Sequence, residues 1–255
     1  MRLRVLGCAG SIGGLHNRTT SFLLDDDVLV DAGTGVGDLS LAELALVDHI
    51  LITHSHLDHI NSIAFMVDSV GALRPKPVTI HALGATITAL KKYVFNWEIW
   101  PDFTVIPNAE QPFMRYEEIA VGEVINLGGR KITVLPAVHT VPAVGYQFDS
   151  GKNSLVFTGD TGPNDALWEV VNKIENLRYL IIETAFADKD RPLAELSKHL
   201  CPEMLGEELA KLTRPADIFI THLKPSEIEL TMVEIEELAT KTPPRLLENN
   251  HVFEF

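Results

Sequence analysis

A chain of 255 residues is long enough to bury a sizeable core, and an apolar fraction of 46% beside 22% charged residues excludes a disordered polymer. Its 35 acidic against 21 basic side chains leave a formal charge of −14, which repels nucleic acid and argues against a stable nucleic-acid partner. That charge leaves room for a small anionic substrate, because a bound metal pair can be the largest local charge in a site.

Met1 to Gly7 runs into Gly, Cys and Ser too soon for a signal peptide. No apolar run approaches the roughly 20 residues that span a bilayer. Two cysteines, Cys8 and Cys201, are too few for a disulfide scaffold and read as free thiols. A cytoplasmic protein without a membrane partner is expected. Without linker or low-complexity tract, residues 1–255 read as one domain.

In chain order, Leu3 to Leu6 is a short apolar strand, and Gly7 to Gly14 is a glycine-rich turn. Thr20 to Leu24 then leads through Asp25, Asp26 and Asp27 into Val28 to Val30, a hairpin signal. From there one pattern recurs: a short apolar run ends abruptly in a polar residue able to bind metal or hold a turn. The instances are Val28 to Asp31, Ile50 to His54, Ile132 to Leu135 running on to His139, Leu155 to Asp160, Leu180 to Glu183 and Ile218 to His222. Such runs are buried strands, and in layered α/β proteins ligands sit beyond the strands' carboxyl ends. The pairing of Ile50 to His54 with Ile218 to His222 suggests two similar halves. Helical spacing covers Leu83 to Trp97, Asp165 to Ile174 behind a Pro163-Asn164 cap, Glu203 to Leu212, and Ser226 to Thr240. Between Trp100 and Gly122, Pro101, Pro107 and Pro112 break any period. That region is a loop or short strands, its aromatics either a lid over the site or a plug at the core edge.

His54-Ser55-His56-Leu57-Asp58-His59 packs four possible ligands into six residues. In extended chain His54 and His56 point to one side and reach one metal. Asp58 and His59, at the start of a turn or helix, are offset towards a second. Imidazole with carboxylate suits zinc, while manganese and iron can use the same ligands. One segment cannot complete two coordination shells, and His139, Asp160 and His222 stand at other strand ends to do so. Asp160, between Gly159 and Thr161-Gly162, is suited to bridging two divalent ions, since each carboxylate oxygen can serve one.

The order His-x-His-x-Asp-His, a distant His, Gly-Asp and a late His, from Gly7 to His222, resembles the metallo-β-lactamase superfamily. The resemblance implies an α/β four-layer αβ/βα sandwich, two mixed sheets with helices on their outer faces and the metals on one edge. It implies that His54, His56 and His139 hold one metal, Asp58, His59 and His222 the other, with Asp160 bridging. True β-lactamases usually carry cysteine at the position of Asp160, so that activity is not expected. His54 to Ile60 further resembles the class II cyclic-nucleotide phosphodiesterases, as do Ser197 to Leu200, Glu203 to Leu212, Ile220 to Pro225, Gly7 to Ser11 and Asp31 to Gly35. Ile63 to Val70 departs from that pattern, which has a small aliphatic stretch closing in Ser with Pro or Ala.

The expected reaction is hydrolysis of 3',5'-cyclic nucleotides (cAMP or cGMP) to 5'-nucleotides by a hydroxide shared between the metals. Asp58 would orient that nucleophile, His199 would protonate the leaving ribose oxygen, and Lys198 would offset phosphate charge. The superfamily's homodimers make a homodimer an expectation, with Trp97 to Phe113 covering a partner's site.

Asp31 and Glu183 read as carboxylates that hold backbone or a ligand histidine rather than metal. His49, His81 and His251 read as structural. His16 and Arg18 could border the pocket, but a structural role is favoured. Three other functions share these motifs. A tRNA 3'-processing nuclease has the same metal set, yet it needs an RNA-binding arm and a basic face, and its late His-Glu-Ala-Thr is replaced by Ile182-Glu183-Thr184-Ala185. A thioester or lactone hydrolase could use the same ions. A non-catalytic metal-dependent sensor or scaffold need not keep all seven ligands.

Overall fold

The apolar runs pair as strands and sort into two seven-stranded sheets among the described residues. The computed structural model of the protein describes residues 1–14, 16–238, 240 and 242–255. Its first half contains β1 (Arg2–Gly7), β2 (Ser21–Leu24), β3 (Val28–Val30), α1 (Leu41–Leu46), β4 (His49–Leu51), α2 (Leu57–Ile60), α3 (Ser62–Val70), β5 (Val78–Ala82), α4 (Gly84–Tyr93) and β6 (Met114–Glu118). The second half contains β7 (Val124–Leu127), β8 (Arg130–Pro136), β9 (Val144–Asp149), β10 (Ser154–Phe157), α5 (Asp165–Val171), β11 (Leu177–Glu183), α6 (Arg191–Ser197), α7 (Pro202–Leu209), β12 (Asp217–Thr221), α8 (Ile228–Glu236), β13 (Arg245–Leu246) and β14 (Val252–Glu254).

The sheet orders are β14-β1-β2-β3-β4-β5-β6 and β13-β12-β11-β10-β9-β8-β7. Each begins with three antiparallel pairings, β14 to β3 and β7 to β10. Each continues with three parallel ones, β3 to β6 and β10 to β13. The two halves therefore share a plan, but the strands alike in sequence are not its equivalents. β4 is the second strand of its parallel run and β12 the third, so β11 is the counterpart of β4.

Parallel neighbours need crossover connections, and these supply the helices. Ile63, Val67 and Leu90 of α3 and α4 pack with Ile50 and Ile80 on the outer face of the first sheet. Leu167, Leu205 and Ile235 of α5, α7 and α8 pack with Leu180, Ile182 and Ile220 on the outer face of the second. Between the sheets lie Leu3, Val5, Phe22, Tyr146, Phe148, Phe157 and Phe253. These are the four layers of an αβ/βα sandwich.

The helices are shorter than their apolar spacing suggests. α4 stops at Tyr93 because the chain turns Phe95 into the core, its amide bonding the carbonyl of Leu90 at 2.9 Å. α5 starts where expected, Asn164 capping the amide of Leu167. α7 begins on Pro202, suited to the first turn, and ends at Leu209. α8 runs only from Ile228 to Glu236 and its N-cap is Glu227, not Ser226; Ala239, within the expected span, lies outside the described residues. α1 was not evident from apolar spacing, although Ser40 and Glu43 form a capping box at its start. In the proline-rich stretch β6 pairs with β5, Phe103 is buried, and Trp100 packs on Phe65 at 5.2 Å, so these two rings plug the core edge. Trp97 is 65% exposed. Among the described residues no helix is long and apolar enough to cross a membrane.

The inter-sheet core is where the fold is most sensitive. Phe22 and Phe157 meet edge to face at 4.9 Å and join β2 to β10 across it. Phe157→Ala is expected to lower the unfolding free energy by about 3–5 kcal/mol in denaturant titration. Leu196→Ala, at a side chain 78% exposed, is expected to change it by less than about 0.5 kcal/mol.

Candidate metal centre

β3, β4, β8, β10, β11 and β12 present their carboxyl ends at one rim, and each is followed there or ended by a polar residue. His54 and His56 leave β4 in extended chain, and Asp58 and His59 occupy α2, as their spacing predicts. His139 follows β8, Asp160 follows β10, and His222 follows β12 directly. His199 comes after α6, opposite the end of β11.

The seven expected ligands converge. Asp160 Oδ2 lies 3.8 Å from His54 Nε2 and 3.3 Å from each of His59 Nε2 and His222 Nε2. Asp58 Oδ2 is 3.7 Å from His59 Nε2 and 3.8 Å from His222 Nε2. His56 Nδ1 and His139 Nε2 are 3.1 Å apart. The sets His54, His56, His139 and Asp58, His59, His222 each keep their donor atoms within 4.8 Å, as do His54, His59, Asp160. One further set, His139, Asp160 and His199, has the same compactness.

Each inward nitrogen is aimed by a partner on the other side of its ring. His54 Nδ1 is 3.0 Å from Thr53 Oγ1, and His59 Nδ1 is 2.7 Å from Asp31 Oδ2. His139 Nδ1 is 3.1 Å from the carbonyl of Lys198, and His199 Nδ1 is 2.6 Å from Glu183 Oε1. Such partners fix ring orientation in metal sites. Asp31 also accepts from the Thr53 amide at 2.8 Å and from its hydroxyl. It thus ties the end of β4 to the end of β3. Glu183 accepts further from the amides of Thr161 and Leu200.

The backbone is bent to achieve this. Asp31 (φ 56°) and His222 (φ 67°) sit in the left-handed region, a strain of about 1 kcal/mol or more each that the surrounding bonds sustain. The amide of Asp31 donates to Leu51 and that of His222 to Cys8. Gly10 passes so close to His222 that a Cβ there would meet its carbonyl oxygen at 2.2 Å and its ring at 2.9 Å. The glycine-rich opening is therefore a wall of the centre.

The nitrogen chemistry fits divalent metal. Among the described residues, buried His54 Nε2 and His59 Nε2 have no hydrogen-bond partner, a costly condition that a cation between them would relieve. Burial holds His139 down to about 4 and His222 down to about 3, although Asp160 opposes both shifts. Both are thus neutral imidazoles at pH 7, the form that ligates metal. Burial raises the Asp160 carboxyl, but His222 and His59 outweigh it and hold the group well below the usual carboxylate range. For His199 burial is outweighed by Glu183, and its pKa is raised.

Other residues fall where their surroundings dictate. Lys198 is exposed, with its Nζ on the carbonyl of His139 at 3.1 Å. Arg18 is taken up by Asp38, with contacts of 3.0 and 3.2 Å, and His16 is exposed. His49 and His81 bond each other at 3.0 Å, away from the cluster. The Cys8 thiol, half-buried and beside Glu248, is pushed up to about 12, desolvation being the larger cause. Two contacts join residues that no sequence pattern links: the Lys198 carbonyl on His139, and Thr20 Oγ1 at 3.5 Å from His222 Nδ1.

Residues 27–242 match the family described as Beta-lactamase superfamily domain, and the chain belongs to that family. A protein of Yersinia pestis named "Probable 3',5'-cyclic-nucleotide phosphodiesterase" is 28% identical over 71% of this chain, and the match spans 58% of that relative's length. A Ribonuclease Z of Pyrobaculum islandicum is 23% identical over 96% of this chain and 94% of its own. Among solved structures, unliganded yeast PDE1 shares the fold with a TM-score of 0.82 at 19% identity, covering 100% of this chain and 99% of that one.

Because Asp31 aims His59 and anchors Thr53, Asp31→Asn is expected to weaken zinc binding about 10- to 100-fold while the protein remains folded. Zinc titration beside circular dichroism measures both.

Proposed function

We propose that this protein is a metal-dependent phosphodiesterase that hydrolyses 3',5'-cyclic nucleotides to 5'-nucleotides. The carrying observation is the Asp160-centred cluster with the His199–Glu183 pair against it, His199 stacking at 5.2 Å on His222. His54, His56 and His139 would hold one divalent ion, Asp58, His59 and His222 a second, and Asp160 would serve both. Zinc suits this donor set, and manganese or iron are alternatives. When bound, the ions supply Lewis-acid charge opposite the phosphoryl oxygens and a nucleophile at neutral pH.

The chain's own groups do the rest. Asp58 is 30% exposed, so its carboxylate can reach into the open side of the site and orient an attacking water. His199 has Nδ1 committed to Glu183, whose charge favours the imidazolium. Its Nε2–H is then the donor for the departing ribose oxygen, and Glu183 holds the ring while that proton moves. Lys198, anchored on the carbonyl of His139, offsets charge on the phosphate. The cyclic-nucleotide choice is supported by the motif resemblance around His54 to Ile60 and His222 to Pro225, and by the name of the Yersinia relative.

A second reading, a tRNA 3'-processing nuclease, is favoured by the near full-length likeness to a Ribonuclease Z. The formal charge of −14 weighs against an RNA substrate.

The readings separate on a substrate panel: cyclic AMP, cyclic GMP, bis(4-nitrophenyl) phosphate, a pre-tRNA and a lactone, each with zinc- or manganese-loaded protein. Conversion of a cyclic nucleotide to its 5'-monophosphate is expected; cleavage of the pre-tRNA with cyclic nucleotides untouched sinks the proposal in favour of the second reading. His199→Ala is expected to reduce turnover about 10²- to 10⁴-fold with metal content unchanged. Loss of metal in that variant assigns His199 to coordination instead, as its compact set with His139 and Asp160 allows.

A further inference from the structure

Lys224, two residues beyond His222, is placed with care. Its amide bonds the carbonyl of Ala185 at 3.2 Å, and its Nζ donates to the carbonyl of Gly10 at 2.7 Å. Gly10 is the residue that lies against the His222 ring. The same ammonium stands 5.8 Å from the centre of the Phe186 ring, and Phe186 in turn lies 5.8 Å from His199. The charge therefore lies beside His222 and His199, held by the Gly10 carbonyl and flanked by Phe186.

Lys198 is held in a parallel way, its Nζ on the carbonyl of His139. In a chain with 35 acidic side chains several cations find a carboxylate, as Lys189 does with Glu227 and Lys211 with Asp165. Among the described residues Lys198 and Lys224 form no ion pair and rest on neutral carbonyls. An ammonium has three donors, so each retains two for another acceptor. Two such groups beside a cluster of inward-facing histidines favour a ligand that carries negative charge on several oxygens.

We propose that Lys224 is a substrate-binding residue that acts with Lys198 as a two-ammonium clamp on the non-reacting oxygens of a phosphoryl group. The clamp makes the site select anionic phosphodiesters and their monophosphate products over neutral esters of the same size. This rests on the phosphodiesterase reading and adds a determinant that the metal cluster does not contain. Lys224 carries charge and hydrogen bonds to the phosphoryl group, and Phe186 offers the flat apolar face beside it on which a base can lie.

The test uses the zinc-loaded full chain and inorganic phosphate as probe, by titration calorimetry at low ionic strength, for wild type, K224M, K224Q and K224R. A lost charge-assisted hydrogen bond is expected to weaken phosphate binding by about tenfold or more in K224M. K224Q keeps a donor for the Gly10 carbonyl without the charge, and is expected to weaken binding similarly; K224R should stay within about threefold of wild type. The KM for bis(4-nitrophenyl) phosphate should rise by the same factor, with kcat changed less than about threefold. A purely structural lysine would instead lower the thermal midpoint in K224M and leave phosphate affinity intact. Wild-type affinity in folded K224M or K224Q overturns the clamp, as does wild-type phosphate binding that is insensitive to added salt. If phosphate binding weakens but no cyclic nucleotide is hydrolysed by wild type, the clamp stands and the cyclic-nucleotide reading falls. If cyclic AMP is hydrolysed with phosphate affinity and KM unaltered in K224Q, the reverse holds.

Discussion

The carboxylate of Asp160, buried among the Nε2 atoms of His54, His59 and His222, is the constraint on which the rest of the structure depends. A buried anion surrounded by ring nitrogens, two of them without hydrogen-bond partners, is costly by itself. Divalent ions would convert that cost into binding free energy, with the ring nitrogens and the Asp160 carboxylate as candidate ligands. The strands are arranged to hold this group of atoms together: β4, β8, β10 and β12 each bring a different candidate ligand to the same rim.

The scaffold carries the strain that this convergence demands. Asp31 and His222 adopt left-handed backbone, and both do so within bonds to neighbouring strands or loops. Asp31 and Glu183, at the ends of β3 and β11, play matching parts, each gripping the Nδ1 of one histidine. Their consequences differ. His59 faces Asp160 and belongs to the cluster, whereas His199 stands beside it with its Nδ1 on Glu183, a place that suits proton transfer.

Much of this was legible in the sequence, for a physical reason. Ligand spacing in His54 to His59 is local, and an extended segment followed by a helical turn fixes its directions without tertiary information. His139, Asp160 and His222 were legible because buried parallel strands are nearly all apolar, so a polar residue at their ends stands out. β6, β7, β9, β13 and β14 were not separated in that way: β6 and β7 are edge-ward and half exposed, and their sequences Met-Arg-Tyr-Glu-Glu and Val-Ile-Asn-Leu carry little contrast. Helix ends were overextended because apolar spacing continues past the point where tertiary packing turns the chain, as at Phe95. The Lys198 carbonyl on His139 and the seat of Lys224 on Gly10 join residues distant in sequence through backbone atoms, which no side-chain pattern records.

The most direct measurement is metal stoichiometry by zinc titration with elemental analysis of the dialysed protein, for wild type and Asp160→Ala. Two equivalents per chain are expected for wild type, falling to one or none once the central carboxylate is removed. A single equivalent in wild type, or two retained tightly without Asp160, would contradict a centre built around that side chain.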